Sequence, residues 1–228
     1  NCRIIDVDTS MAYQMHDRYC HETDQVTRAS HWISWLKAHR YERSMLRYFD
    51  AAAVVWQAEA DFLRRMIKHP CSVDVISNGV DSVYNQPGCA EPAPNTLVYN
   101  GSLTYSANYD AMSWFLSEIY PLIKAKQPAV RLTITGSIKG VDLTGLALDD
   151  SVRLTGFVDD VRLPVASSTL CVVPIRKGSG TRLKILEAMA LGTPIVSTGK
   201  GAEGLKVVDR EHLLLADAPQ TFANTVLN

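Results

Sequence analysis

The sequence predicts an α/β protein with mostly parallel sheets, and three observations carry this prediction. Short runs rich in β-branched residues alternate with longer amphipathic stretches, as they do in repeated strand–helix–strand units. The run at residues 169–174 is nearly all apolar, which is typical of a strand covered on both faces. A chain of 228 residues with 46% hydrophobic residues can bury a large core without disulfide or metal staples.

The alternation predicts nine strands and six helices. The short β-branched and apolar runs predict strands at residues 3–8, 52–56, 72–76, 96–100, 131–135, 152–155, 169–174, 194–197 and 212–215. The amphipathic stretches predict helices at residues 28–48, 59–68, 108–126, 160–167, 182–191 and 219–227.

One stretch without periodicity separates two parts of the chain. Residues 85–95 contain three prolines and one glycine, which is typical of a linker. We therefore expect a first domain at residues 1–86, a linker at 87–95 and a second domain at 96–228 with a doubly wound parallel sheet. The first part is too short to close such a sheet alone. Both ends of the chain read as the interior of a protein, so we expect a truncated first domain and a second domain cut at its C-terminus.

Composition excludes several classes of function. Lysine and arginine number 23 against 24 acidic residues, so bulk electrostatic binding to nucleic acid is not expected. No apolar run approaches the roughly 20 residues that span a bilayer. The five cysteines include no Cys-x-x-Cys pair and the six histidines no His-Glu-x-x-His motif, so we predict neither a metal site nor a cofactor. Reduced thiols suit a cytoplasmic protein.

The segment that carries chemistry runs from residue 174 to residue 194. A buried strand leads into the turn Gly178-Ser179-Gly180 and then into a helix. The glycines allow close approach of the backbone to a ligand, and a helix start offers free N–H groups for a phosphate. Arg182 and Lys184 add positive charge at this helix start. The pattern predicts a phosphate site.

An acidic residue follows within two helical turns. Glu187 lies seven residues after Gly180, about 10 Å along a helix, where it could accept hydrogen bonds from ribose hydroxyls beside a bound diphosphate. The spacing therefore suits a nucleoside diphosphate. The alternative is an exposed ion pair between Lys184 and Glu187, which are three residues apart.

Several segments together resemble glycosyltransferase family 4, the retaining enzymes of the GT-B fold. Residues 178–196 resemble the family's nucleotide-sugar signature, and the chain looks closest to the capsule and exopolysaccharide transferases. The other matching segments, in order, are Ser77-Asn78-Gly79-Val80-Asp81, Tyr99-Asn100-Gly101-Ser102 with Asn108, Asp110 and Trp114, Leu132-Thr133-Ile134-Thr135-Gly136, Leu154-Thr155-Gly156-Phe157-Val158, and residues 198–205.

The resemblance implies roles for individual residues. Arg182 and Lys184 would stabilise the leaving diphosphate as catalytic residues, and Glu187 would hold the ribose. Ser179 stands where many members carry a first glutamate beside the donor sugar, and the first loop, residues 101–108, lacks their basic pair. The donor-binding residues implied by the resemblance are Gly101, Ser102, Gly156, Phe157, Val158, Gly178, Ser179, Gly180, Thr181 and Glu187.

The resemblance thus implies a metal-independent, retaining hexosyltransferase with a Rossmann-like second domain. It would move sugar from a nucleotide-diphosphate sugar to a carbohydrate or lipid-linked acceptor in cell-surface polysaccharide or glycolipid synthesis. Residues 30–43 mix tryptophans with basic residues, so the protein could touch the inner face of a membrane peripherally; the alternative is a helix with one packed and one solvated face. A non-catalytic nucleotide-sugar-binding module and a GT-B sugar-nucleotide epimerase remain rival functions.

Overall fold

A computed structural model describes residues 2–178 and 180–228, and the chain forms two compact units. The first unit contains Asn1–Asn78 and Gly178–Thr181, and the second contains Gly79–Lys177 and Arg182–Asn228. The division falls at residue 78, so the stretch expected as a linker, residues 87–95, belongs to the second unit. Its last residues, from Ala93 onward, already form a strand.

The first unit is a small parallel sheet with three helices. Strands β1, β2 and β3 pair in this order, all parallel. The elements are β1 (Ile4–Asp6), α1 (Met11–His21), α2 (Gln25–Leu46), β2 (Ala51–Val54), α3 (Gln57–Met66) and β3 (Ser72–Val75).

Helix α1 was not predicted, and a tertiary contact explains its position. The side chain of Ser10 caps its first turn by accepting from the backbone N–H of Tyr13 at 3.0 Å. The buried carboxylate of Glu42, on α2, accepts from the backbone N–H groups of Met11 (2.5 Å) and Ala12 (3.1 Å). Such a carboxylate satisfies N–H donors that a helix start leaves unpaired. Because Glu42 lies 30 residues from Ala12 in the sequence, no local pattern predicts this contact.

The second unit holds a six-stranded parallel sheet in the order β6-β5-β4-β7-β8-β9. This order reverses beside β4, as in a doubly wound sheet, so the predicted fold class is confirmed. Its elements are β4 (Ala93–Asn100), α4 (Ser106–Trp114), a π-helical turn (Phe115–Ile119), α5 (Tyr120–Lys126), β5 (Arg131–Thr135), β6 (Val152–Gly156), α6 (Arg162–Ala166), β7 (Ser168–Val173), α7 (Leu183–Ala190), β8 (Ile195–Ser197), β9 (Leu214–Leu215) and α8 (Pro219–Leu227).

Two elements of this unit differ from their predicted form. The helix predicted at residues 108–126 starts at Ser106 and is interrupted by the π-helical turn, which joins α4 to α5. The last strand is only Leu214–Leu215, paired with β8, rather than residues 212–215.

The two central strands are buried on both faces. Cys171, Val172 and Val173 of β7 have no exposed surface, nor do Val98 and Tyr99 of β4. Helices α5 and α8 pack against each other, and α6 packs against α7. Because the interior of the sheet is apolar, polar side chains can gather only where these strands end. The crevice at the carboxyl ends of β4 and β7, where the strand order reverses, is the natural ligand position in such a sheet.

The first unit carries a buried acid that makes its stability depend on pH. Glu59, on α3, has no exposed surface, and its Oε1 accepts from the backbone N–H of Ser10 at 3.3 Å. Burial is the main cause that raises the pKa of Glu59 from its ordinary 4.5 to about 7, and the neighbouring charge of Glu42 acts in the same direction.

We predict that the native protein loses stability as the pH rises from about 4.5 to 7, and that the Glu59→Gln variant does not show this loss. An acid with a raised folded-state pKa contributes its full stability when protonated, and this contribution is lost as pH rises through the folded pKa. By pH 8 the loss should reach about 3 kcal/mol in the free energy of unfolding. Urea unfolding from pH 5 to pH 8 measures it. The exposed Glu118→Gln variant is the control, and parallel pH profiles for native and Glu59→Gln proteins would contradict the assignment.

Candidate functional site

The candidate site is built from two loops at the carboxyl ends of adjacent strands. The loop after β4 runs from Gly101 to the start of α4, and the segment after β7 leads to α7. Strands β4 and β7 are hydrogen-bonded neighbours, so their ends lie side by side. Both segments carry residues that the sequence predicts to bind the donor, and the fold brings Gly101 of the first close to Lys184 of the second.

Lys184 points its amine back toward the end of β4. Its Nζ lies 3.2 Å from Asn108 Oδ1 and 4.0 Å from the centroid of the Tyr99 ring. A β-carbon built at Gly101 would stand 2.5 Å from the same nitrogen, so a residue without a side chain leaves room for the amine. Burial is the main cause that lowers the pKa of Lys184 from 10.5 to about 7, and the positive charge of Arg182 acts in the same direction.

Glu187 is tied to strand β4 rather than standing alone on an exposed helix face. Its Oε2 accepts a hydrogen bond from Asn100 Nδ2 at 2.9 Å. Asn100 Oδ1 in turn accepts from Thr135 Oγ1 at 3.1 Å, and the side chain of Thr135 is buried. Burial raises the pKa of Glu187, whereas Lys184 and Asn100 oppose this shift. The carboxylate therefore has a fixed orientation beside Lys184's helix turn.

The glycine turn and Arg182 precede α7 in the chain. Gly178 and Gly180 have φ values of +90° and +91°, in the region that only glycine adopts without strain. Arg182 takes the N-cap position of α7, and its Nη2 donates to the carbonyl of Lys177 at 3.4 Å. Thr181 is partly buried, and Ser179 lies outside the described residues.

The remaining predicted residues lie on neighbouring loops. Ser102 Oγ donates to the carbonyl of Ser137 at 3.0 Å, which joins the loop after β4 to the loop after β5. Gly156 ends β6, two strands away from β4, and its carbonyl accepts from Gly136 N at 2.9 Å. Phe157 is 78% exposed and Val158 is half-buried. These three residues therefore share the carboxyl edge of the sheet with Lys184 but no described contact joins them to it.

Sequence reasoning gave no role to several polar residues that organise this edge. Asn100 and Asn108 were noted only as parts of a motif, although they hold Glu187 and Lys184. Asp110 was noted in the same way, and its carboxylate accepts from Arg176 Nη2 at 3.0 Å and lies 3.0 Å from Lys177 Nζ. The sequence carries these residues as polar side chains at the end of a buried strand and on the following helix, but their partners lie 66–87 residues away.

The arrangement can bind an anion and a polyol side by side. Two cationic side chains and the N–H groups of a helix start offer donors to phosphate oxygens. An oriented carboxylate one turn further offers acceptors to hydroxyl groups. Within residues 2–178 and 180–228, no group of three or more His, Cys, Asp or Glu side chains is arranged to hold a metal ion.

Comparison with protein families decides the identity of this fold. The family model described as "Glycosyl transferases group 1" matches residues 94–228, more than half of the chain. The chain belongs to this family. A relative of this group 1 glycosyl transferase is a 44.6 kDa protein in the cps region of Klebsiella pneumoniae, 27% identical over 140 residues. That match covers 58% of the chain and 36% of the relative, so the chain spans about a third of the relative's length.

Solved structures of GT-B glycosyltransferases share the fold of this group 1 glycosyl transferase. Sucrose-phosphate synthase of Thermosynechococcus elongatus superposes with a TM-score of 0.72 at 19% identity, over 98% of this chain and 57% of that one. TarM gives a TM-score of 0.69 at 18% identity, over 84% and 38%. Anabaena HepE, in complex with UDP and glucose, gives a TM-score of 0.69 at 15% identity, over 98% and 60%.

We predict that the Lys184 side chain of this group 1 glycosyl transferase titrates near pH 7 in the ligand-free protein. The buried amine favours its neutral form, so half of it should be uncharged at neutral pH. NMR of lysines labelled at Cε measures the titration, and the signal is assigned by its absence in Lys184→Met. Lys124, whose pKa is raised by its hydrogen bond to Asp149, serves as the internal reference. A Lys184 amine that stays charged to pH 10 would refute the described burial.

Proposed function

We propose that this protein transfers a sugar from a nucleotide-diphosphate sugar to an acceptor. The observation that carries the proposal is the pairing of Arg182 and Lys184 at the start of α7 with Glu187 one turn later, on a fold of the group 1 glycosyl transferases. The cations suit the diphosphate, and the carboxylate held by Asn100 suits the ribose hydroxyls. Membership of glycosyltransferase family 4 and the metal independence of the reaction are parts of this proposal.

The chemical step depends on stabilising the leaving group. As the bond between the sugar's anomeric carbon and the diphosphate breaks, negative charge develops on the phosphate oxygen. Donors already oriented toward that oxygen lower the barrier, because they need no rearrangement during the reaction. In the proposed mechanism Arg182 and Lys184, together with the helix start, supply the positive charge that stabilises the leaving phosphate oxygen. The acceptor hydroxyl attacks from the same face as the leaving group and gives its proton to the departing phosphate, so the anomeric configuration is retained.

The other proposed contacts extend from this centre. The backbone at Gly178, Ser179, Gly180 and Thr181 would approach the diphosphate and sugar, and Gly101 and Ser102 would border them from the loop after β4. The exposed ring of Phe157 offers an aromatic face on which a base could stack, beside Gly156 and Val158.

The acceptor is proposed to be a carbohydrate or a lipid-linked glycan in cell-surface polysaccharide synthesis. The relative encoded in the cps region of Klebsiella pneumoniae supports this context. We also propose that the protein is cytoplasmic and contacts a membrane peripherally through α2. On this helix Trp32, Ile33 and Tyr41 are at least 45% exposed among basic residues. None of the described helices combines the length and the apolar character of a membrane span.

A transfer assay on the full-length protein tests the proposed function. The protein is incubated with UDP-, GDP- and ADP-sugars and a glycan acceptor pool, and products are followed by mass spectrometry and anomeric NMR. A glycoside with the anomeric configuration of the donor is the expected product. Donor binding without any product would favour the non-catalytic module, and a changed sugar on the nucleotide without transfer would favour an epimerase.

We predict that Arg182→Ala and Lys184→Ala each weaken binding of the matching nucleoside diphosphate about tenfold or more. A hydrogen bond to a charged group contributes roughly 1.5–3 kcal/mol, and only the diphosphate makes these bonds. Calorimetric titration of the diphosphate and the nucleoside against each variant measures the effect. Equal weakening of both ligands would exclude the phosphate role.

We predict that Glu187→Gln weakens binding of the ribonucleotide by roughly 1–2 kcal/mol and of its 2′-deoxy analogue by less. The neutral amide is a poorer acceptor for ribose hydroxyls, and the deoxy analogue already lacks one of them. Titrating both nucleotides against both proteins gives a four-affinity cycle. Absence of coupling between the substitution and the 2′-hydroxyl would rule out this contact.

We predict that a chelator leaves transfer activity unchanged, because the helix start, Arg182 and Lys184 supply the positive charge at the leaving diphosphate. Initial rates are compared in excess EDTA and in added Mg²⁺ or Mn²⁺. Activity that disappears with EDTA and returns with either cation would overturn metal independence.

A further inference from the structure

One side-chain amide connects three separate parts of the candidate site. Asn108, in the first turn of α4, accepts through Oδ1 from the hydroxyl of Tyr99 at 2.6 Å and from Lys184 Nζ at 3.2 Å. Its Nδ2 donates to the backbone carbonyl of Ser102 at 2.8 Å. The amide therefore touches strand β4, helix α7 and the loop after β4 at once.

The contacts leave the amide a single useful orientation. Tyr99 OH is a donor to Oδ1, and the Ser102 carbonyl can only accept. Rotating the amide by half a turn would set its NH₂ against the charged Lys184 amine and its oxygen against the Ser102 carbonyl, so both of these hydrogen bonds would be lost and only Tyr99 OH, which can also accept, could keep one. The Tyr99 side chain is completely buried in the sheet, which gives this oriented amide a rigid support.

Lys184 needs such a guide because its side chain is long and flexible. An unguided lysine loses its rotamer freedom only when it binds its ligand, and that loss weakens binding. Here the amine is already held by Asn108 and by the Tyr99 ring, at the position that Gly101 leaves open. The amine is thus oriented before a ligand arrives.

We propose that Asn108 is a positioning residue that orients the Lys184 amine toward the diphosphate of the donor and, by donating to the Ser102 carbonyl, fixes the loop after β4 beside it. It acts through Lys184 and does not touch the reacting atoms. The predicted effect of Asn108 on donor binding rests on the proposed function, but the orientation of the Lys184 amine by Asn108 can be tested without any ligand.

The ligand-free test is the titration of Lys184 in substituted proteins. Asn108→Ala removes an acceptor that favours the charged amine, so the midpoint should move to lower pH. Asn108→Asp places a negative charge at the same point, so the midpoint should move to higher pH. Asn224→Ala is the matched control, because Asn224 Oδ1 accepts from Lys126 Nζ at 3.1 Å on the exposed surface. Opposite shifts in the two Asn108 variants and none in the control support the proposal; an unmoved midpoint in both overturns it.

The ligand test separates positioning from general damage to the fold. UDP, GDP and ADP are titrated by calorimetry, each with its nucleoside. Asn108→Ala should weaken by about tenfold the binding of that nucleoside diphosphate which the native protein binds, and it should leave the affinity for the matching nucleoside nearly unchanged. In a Lys184→Ala background, the same substitution should cause little further loss of diphosphate affinity. Equal losses for both ligands, or a full additional loss without Lys184, would overturn the proposal.

Tyr99→Phe keeps the test decisive if Asn108→Ala does not fold. It removes only the hydroxyl that orients the amide and keeps the ring beside Lys184, so a loss of about threefold for the diphosphate alone is expected. No loss would contradict the role of the oriented amide. If the native protein binds none of the three diphosphates, the proposed function fails, and the Lys184 titration alone decides whether Asn108 orients the amine.

Discussion

The site depends on the burial of two neighbouring parallel strands, β4 and β7, on both faces. The consecutive buried residues of these strands, 97–99 in β4 and 171–173 in β7, are apolar apart from the Tyr99 hydroxyl. Polar groups are therefore excluded to the ends of these strands, and the parallel arrangement gathers the carboxyl ends of all six strands at one edge. The strand order reverses beside β4, and in sheets of this kind such a reversal marks the usual position of the ligand.

The same apolar surroundings give the polar groups of the edge their electrostatic character. Lys184 has its pKa lowered and Glu187 has its pKa raised, each mainly by burial. Burial disfavours the charged form of each group, and a bound anion would favour the charged form of Lys184. Paired shifts of this kind are typical of functional sites. The hydrogen bonds from Asn100 and Asn108 keep both groups in fixed positions.

The first unit also contains buried polar groups that are held by hydrogen bonds. Buried carboxylates place α1: Glu42 accepts from two N–H groups at its start, and Glu59 accepts from the N–H of Ser10. Charged side chains are rarely buried without partners, and each of these acids accepts hydrogen bonds from backbone N–H groups at the start of α1. The unit thus joins three elements through polar contacts inside a small apolar core.

The sequence by itself determined the alternation of strands and helices, the α/β class with parallel sheets and the position of the glycine turn before α7. These features follow from local periodicity and from glycine's backbone freedom, which neighbouring residues suffice to reveal. It predicted neither α1 nor the Asn100 and Asn108 partners of Glu187 and Lys184, and it placed the domain boundary at residue 86 where the structure has it at residue 78. Only the tertiary structure decided these, because Glu42, Asn100 and Asn108 reach their partners across 30 to 87 residues. A contact over such a separation depends on how strands are ordered in the sheet and helices packed around it, and no local pattern encodes that.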